Sequence, residues 1–248
     1  MDLGLSGRRA AVGASTSGLG LACAEALAAE GARVAVCGRE ADRARRAAAG
    51  LGPGAVGLAA DLSDPHSATA FVDEAADALG GLDILVANGP GPAPGTLGEL
   101  SPSDFPPALA TSLLSVVAMC YAALPRMRVA GWGRIVAVTS IAVRQPIPNL
   151  ALSNTARAGA TGYLKTLARE IAGEGVTVNS VLPGLHATPR VEAVFGDDLA
   201  RAASGVPAGE LGRPADLGAT VAFLCSEQAR YLTGVALPVD GGMDAHLL

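Results

Sequence analysis

The chain has 248 residues and a formal net charge of -5; half of its residues are hydrophobic, yet only 3% are aromatic. That length is ample for one large core, which Ala, Val and Leu must pack in place of rings. The acidic balance and the lack of a basic cluster argue against a nucleic-acid surface. Cys23, Cys37, Cys120 and Cys225 are scattered without ligand spacing, so they read as buried thiols of a cytoplasmic protein, and no metal is expected.

Arg9-Ala10-Ala11-Val12 is a short apolar run that reads as a buried strand. Gly13-Ala14-Ser15-Thr16-Ser17-Gly18-Leu19-Gly20 follows, after which Leu19, Ala22, Cys23, Ala26 and Leu27 recur at helical spacing. A strand turning through small residues into a helix puts free backbone N–H groups and the positive end of the helix dipole at one spot, which suits a phosphate. Glycine there is expected to let a pyrophosphate lie against the backbone. Gly31 ends the helix, and Arg33 to Cys37 reads as a second strand, completing a βαβ unit. At the end of that strand, where an NAD-type unit has an acid for the ribose hydroxyls, stands Gly38-Arg39. Arginine pairs with a 2′-phosphate that an acid would repel, so NADP(H) is expected in preference to NAD(H). Arg43, Arg45 and Arg46 read as the solvated face of an Ala-rich helix.

The alternation continues without a linker. Ala55 to Ala60 is a third strand ending at Asp61; Ser63-Asp64-Pro65 caps a helix that Gly80-Gly81 stops. Asp83 to Ala87 is a fourth strand leading into Asn88-Gly89 and a Pro/Gly loop. Ser101-Pro102-Ser103-Asp104 caps a helix with no charge from Phe105 to Pro125, long enough to span a bilayer. Pro106, Pro107, Thr111, Ser112 and Ser115 interrupt that stretch and no second span accompanies it, so it reads as a core and subunit-interface helix. No membrane association is expected. Arg134 to Val138 is a fifth strand with Thr139-Ser140 at its exit, and a long helix runs from about Ser153 to Ala172. Val176 to Val181 is a sixth strand ending in Pro183-Gly184. Pro214-Ala215-Asp216 starts another helix, and Val235 to Val239 forms a seventh strand. Nearly continuous apolar strands alternating with helices predict a single doubly wound Rossmann-type α/β domain over residues 1–248, with about seven parallel strands. Ligands bind beyond the C-terminal strand ends of such a sheet, where the Gly-rich turn, Arg39, Asp61, Asn88, Ser140 and Pro183 all fall.

At these residues the chain resembles the short-chain dehydrogenase/reductase family, over essentially its whole length. The resemblance is carried by the Gly-rich turn, Asp61-Leu62, Ala87-Asn88-Gly89, Thr139-Ser140, Val178-Asn179-Ser180, Pro183-Gly184, Thr188, Gly212-Arg213-Pro214 and Thr233-Gly234 through Asp240-Gly241-Gly242. It implies that Asp61 and Leu62 contact adenine, that Asn88 and Gly89 pack along the cofactor, and that Pro183, Gly184 and Thr188 hold the nicotinamide end. Gly13, Ser15, Ser17, Gly18, Leu19 and Gly20, with Arg39, Thr139 and Arg157, complete the expected cofactor set. A homodimer or homotetramer acting on a small-molecule substrate is also implied.

The departures concern chemistry. The first two positions of the family's Thr-Gly-x-x-x-Gly-x-Gly are Gly13 and Ala14, its assisting Asn is Ser112, and its Tyr-x-x-x-Lys pair is Ser153 and Arg157; of four catalytic positions only Ser140 is retained. The chain thus looks like an atypical branch, similar to 3-oxoacyl-(acyl-carrier-protein) reductase-like members that lack the Tyr/Lys pair. Carbonyl reduction needs a hydrogen-bond donor and a proton at oxygen. Ser153 is a poor acid and Arg157 does not release its proton, but one helical turn separates them, so both can face the cleft. His186, expected near the nicotinamide end, is a candidate proton donor. Tyr163 and Lys165 are out of phase with Ser153 and Arg157 on their helix and do not replace the missing pair. The leading expectation is an NADP(H)-dependent carbonyl or alcohol oxidoreductase using Ser140, Ser153, Arg157, Ser112 and His186. The alternatives are a redox-neutral cyclase, isomerase or dehydratase, and a non-catalytic NADP(H)-binding protein. Apolar Val191, Ala193, Val194, Phe195 and Leu199 predict a lid suited to a hydrophobic or acyl-like substrate.

Overall fold

The apolar runs expected as strands lie side by side in one sheet of seven parallel strands. They are β1 (Arg9–Val12), β2 (Arg33–Gly38), β3 (Val56–Ala59), β4 (Ile84–Ala87), β5 (Gly133–Val138), β6 (Val176–Pro183) and β7 (Ala236–Val239), in the spatial order β3-β2-β1-β4-β5-β6-β7. The computed structural model describes residues 2–247, for Asp197 the backbone alone. Chain order reverses between β1 and β4, which leaves a crevice beyond their C-terminal ends. β4 and β5 are buried along their whole length, as a sheet covered on both faces requires.

Helices cover the two faces. On one lie α3 (Pro65–Leu79), the helix comprising α4 (Phe105–Leu109) and α5 (Ser115–Ala130), and α6 (Ala151–Glu170), with Phe71, Met119, Met127 and Leu164 in the core they share with the sheet. The other face carries α1 (Gly18–Ala29) and α9 (Pro214–Cys225), with a contribution from α2 (Ala41–Gly50). The ends follow the expected signals. Asp64 accepts hydrogen bonds from the His66 and Ser67 N–H groups at the start of α3, and Gly80 closes it in the left-handed conformation. Ser101 and Asp104 form a reciprocal capping box.

One expected helix is not regular. Between α4 and α5 the backbone widens into a π-turn at Ala110–Leu114, within a helical stretch running from Pro102 to Ala130. Thr111 Oγ1 donates to the Pro107 carbonyl and Ser115 Oγ to the Thr111 carbonyl. Such bonds back to the preceding turn compete with the regular ladder and bend a helix. This stretch meets the length and hydropathy of a membrane span, but α5 buries Val116, Met119, Cys120, Ala123 and Met127 against the sheet and α3. Leu114 and Tyr121 stay exposed on its outer side.

The far end of the sheet is held by charge. Asp83, 4% exposed, accepts from the Arg9 backbone N–H (2.8 Å), Nε (2.7 Å) and Nη2 (2.8 Å), joining the starts of β1 and β4. Burial alone would raise the Asp83 carboxyl, but the hydrogen bonds from Arg9 outweigh it and hold the group below its ordinary range. A carboxylate depressed in the folded state contributes stability at pH above its unfolded value, and that contribution is lost as pH falls through the folded value. Asp83→Asn is therefore expected to lower the neutral-pH Tm by roughly 10 °C, the effect of breaking a buried pair of about 3–5 kcal/mol. It should also flatten the decline of Tm as pH falls below about 4. Thermal melts of both proteins across pH check this; an unchanged neutral Tm would show that the pair contributes nothing.

Candidate active site

Two joined hollows lie beyond the C-terminal ends of the strands, and both have Ala14, Ser17, Pro90 and Gly91 as walls. The first, about 440 Å³, is lined by Thr16, Arg39, Arg43, Asp61, Leu62 and Ser63. The second, about 380 Å³, is lined by Gly18 to Gly20, Asn88, Gly89, Thr139, Ser140, Ser153, Arg157, Pro183, Gly184 and Thr188. Together they form a bent trough over the crevice between β1 and β4.

The turn between β1 and α1 is built by close approach. A Cβ on Gly13 would lie 2.3 Å from the Asn88 carbonyl oxygen, and one on Gly20 would lie 2.4 Å from the Ala14 carbonyl oxygen. These two glycines are thus needed to pack the turn against β4 and itself. Of the three glycines of the turn, only Gly18 has a left-handed φ, +59°, which turns the chain into the helix. Ala14 also sits at positive φ, +45°, where the family pattern has glycine, and its N–H meets Cys37 Sγ at 3.3 Å. The Asn88 side-chain amide holds the turn from above, donating to the Gly13 and Ala14 carbonyls. Past it, the N–H groups of Gly18, Leu19 and Gly20 have no acceptor among the described residues. Ser17 is the N-cap of α1 without using its hydroxyl as a cap. Free N–H groups at a helix start, beside an uncommitted hydroxyl, form an anion cradle that fits a dinucleotide's pyrophosphate.

Ser15 departs from expectation. It is fully buried, its Oγ donates to the Val12 carbonyl and accepts from the Cys37 N–H, and its own N–H bonds the Cys37 carbonyl. Every polar group of Ser15 that could meet a cofactor is spent stitching β1 to β2, so it is a structural residue. Arg43 departs in the other direction. Read from sequence as a solvated helix residue, it lines the first hollow beside Arg39 because the first turn of α2 starts at the end of β2. Asp61 accepts from the Ser63 N–H and hydroxyl, which hold its carboxyl below the ordinary range, helped by the nearby Arg39 charge.

In the second hollow, Ser140 Oγ accepts the Ala142 N–H at 3.1 Å, which leaves its own hydrogen free to donate. Ser153 opens onto the same space from the first turn of α6. One turn on, Arg157 Nη1 donates to the carbonyls of Val138 (2.9 Å) and Thr139 (3.0 Å) at the exit of β5. Its Nε and Nη2 have no protein acceptor among the described residues. Burial, and then the charge of Arg190, pull the Arg157 guanidinium down to about 10, still a cation at neutral pH. Tyr163 and Lys165 lie away from this cleft: Tyr163 stacks on Tyr121, and Lys165 Nζ bonds the Gly234 carbonyl.

Two of the expected chemical groups are displaced. Ser112 is buried within the π-turn, its Oγ has no partner, and it is not among the cleft walls, so it does not reach a reacting atom. His186 borders the cleft but is only 3% exposed. Its ring lies against Gly212, where a Cβ would come within 2.9 Å, and Nδ1 is 3.3 Å from the Gly184 carbonyl. Burial lowers its pKa, which disfavours the imidazolium, and these contacts make it a prop for the Pro183–Gly184 turn.

Thr188 accepts the Val191 N–H and starts the lid, α7 (Pro189–Phe195) and α8 (Leu199–Ser204). Arg190, which the sequence reading passed over, reaches from α7 across the mouth to the carbonyls of Gly91 (3.3 Å) and Pro92 (3.1 Å). Its only sequence signal is its place two residues after Thr188. Val178, Asn179 and Thr233, part of the resemblance, prove to be sheet stitching: Asn179 bonds Leu232 and Val235, and Thr233 Oγ1 accepts the Val178 N–H.

Residues 13–244 match the family model described as enoyl-(acyl carrier protein) reductase. The 3-oxoacyl-(acyl-carrier-protein) reductase of Vibrio cholerae is 34% identical over 97% of this chain and 99% of its own length. The crystal structure of L-sorbose reductase from Gluconobacter frateurii, complexed with NADPH and L-sorbose, superposes with a TM-score of 0.93 at 33% identity, covering all of both chains. That of the 3-ketoacyl-(acyl-carrier-protein) reductase from Brucella melitensis, complexed with NADH, gives 0.89 at 33% identity over 97% and 99% of the two chains. Sheet order, cleft and these relatives agree that the chain belongs to the short-chain dehydrogenase/reductase family.

Proposed function

We propose that the protein is an NADP(H)-dependent oxidoreductase acting on a carbonyl or alcohol substrate through a non-standard Ser140, Ser153 and Arg157 site. The observation that carries this reading is the continuity of the trough. It runs from two arginines, past an N–H cradle, to two hydroxyls and a guanidinium with free donors. Arg39 and Arg43 fit a 2′-phosphate, Gly18 to Gly20 fit a pyrophosphate, and Thr139, Pro183, Gly184 and Thr188 border the nicotinamide end. A reduced nicotinamide bound there supplies a hydride for the carbonyl carbon.

The chain's own task is the oxygen. Ser140 donates its free hydrogen to it, Ser153 offers a second donor, and Arg157 stabilises the negative charge that develops. Both serines are too weakly acidic to hand over a proton unaided. Water entering the open cleft therefore supplies the proton, and His186 takes no part in the transfer. The exposed Leu114 and Tyr121 on the α5 side suit self-association of the folded protein.

Loss of nicotinamide absorbance on mixing NADPH-loaded protein with a panel of ketones and aldehydes tests the reading. One alcohol formed per NADPH consumed is expected. Product formed with the cofactor spectrum unchanged would instead identify a redox-neutral enzyme, and tight NADPH binding without turnover on any compound would identify a binding protein.

A further inference from the structure

We infer that the reacting half of the cleft takes a substrate bearing a carboxylate, which Arg190 of the lid grips opposite Arg157. The inference rests on the reductase reading and adds the substrate class. Among the described residues, the walls of that half include two arginines and no aspartate or glutamate. Their charges act on each other, since Arg190 helps to depress Arg157. Two cations lining one open space, with no carboxylate among the described wall residues, leave a net positive field, which an anion bound there relieves.

The cofactor's own anions have other partners. The N–H groups of Gly18, Leu19 and Gly20 suit the pyrophosphate, and Arg39 and Arg43 stand at the far end of the trough. Arg190 is left over from both groups. Its present acceptors are two neutral carbonyls of the Gly91–Pro92 loop at 3.1 and 3.3 Å, the long end of the hydrogen-bond range. A carboxylate accepts shorter, charge-assisted bonds from the same planar fork. Leu150, Val138 and Val191 add apolar wall around it, so the expected substrate has an apolar body between its carbonyl and its carboxylate.

The test separates binding from turnover by using the NADP⁺-loaded protein, which cannot reduce anything. Calorimetric titration with levulinate and acetylbenzoate, each against its methyl ester, should give at least one acid bound roughly tenfold or more tightly than its ester. Arg190→Met should remove that preference while NADPH affinity stays within about twofold. Arg190→Lys should keep part of it. Two results overturn the inference: acid and ester bound alike in every pair, or Arg190→Met weakening NADPH about tenfold with any acid preference intact. The second outcome would assign Arg190 to the pyrophosphate. An acid preference that persists in a protein that never oxidises NADPH would sink the reductase reading and leave the anion site standing.

Discussion

Changing Arg39 and Arg43 together to alanine is expected to weaken NADPH binding by roughly 10²–10³-fold while NADH binding moves by no more than about twofold. The two side chains line the first hollow of the trough and have no salt-bridge partner there among the described residues. A hydrogen bond to a charged group contributes about 1.5–3 kcal/mol, so losing one guanidinium costs roughly tenfold to a hundredfold and losing both costs more. NADH has no 2′-phosphate for either arginine to meet, hence the small second effect. Arg39→Ala alone should fall between wild type and double variant. The NADPH affinity should also drop steeply with added salt, because exposed pairs of this kind are screened. Equal weakening of both cofactors would show that the arginines support the pocket's shape and do not read the phosphate. Unchanged NADPH affinity would place the phosphate elsewhere.

How much of this was legible in advance depended on what each residue's partners are. The sheet was readable because its strands are buried on both faces and so appear as plain apolar runs bounded by Gly, Asp and Pro. All seven strands lie within one or two residues of their expected positions. Asp64, Gly80 and Ser101 announce helix ends through local chemistry, which needs no tertiary knowledge. Ser15 could not be placed, because its fate depends on the Cys37 backbone, which only β-pairing brings alongside. Arg43 was lost for a related reason: helical periodicity tells which face a residue is on, not what the end of the neighbouring strand opens onto. The π-turn at Ala110–Leu114 is also a tertiary product. Nothing in an uncharged helical run marks where the ladder will widen, although Thr111 and Ser115, four apart, are the residues whose hydroxyls bond back. His186, a candidate proton donor in sequence, is held by Gly184 and Gly212 in space.

Arg157→Met is expected to reduce kcat/KM by at least about 10²-fold while leaving the Tm within a few degrees of wild type, or raising it. The two effects have opposite physical origins. For catalysis, Arg157 is the only cation on α6 that faces the cleft beside Ser140 and Ser153 among the described residues. Without it the charge developing on oxygen meets two neutral hydroxyls. For stability, burial lowers the Arg157 pKa to about 10, and a cation depressed on folding weakens the fold wherever it is protonated in both states. That cost is relieved only as pH rises through about 10, so a neutral methionine of similar reach removes it at every lower pH. The Val138 and Thr139 carbonyls lose their donor in the variant, a partial offset, although they stand at a cleft that water enters. Arg157→Lys should recover part of the rate by restoring a charge at the same position. Steady-state kinetics and thermal melts on the three proteins distinguish the outcomes. A Tm drop of more than about 10 °C in Arg157→Met would make the residue a structural strut whose loss unfolds the site. Full activity in that variant would remove Arg157 from the mechanism and leave Ser140 and Ser153 to carry it alone.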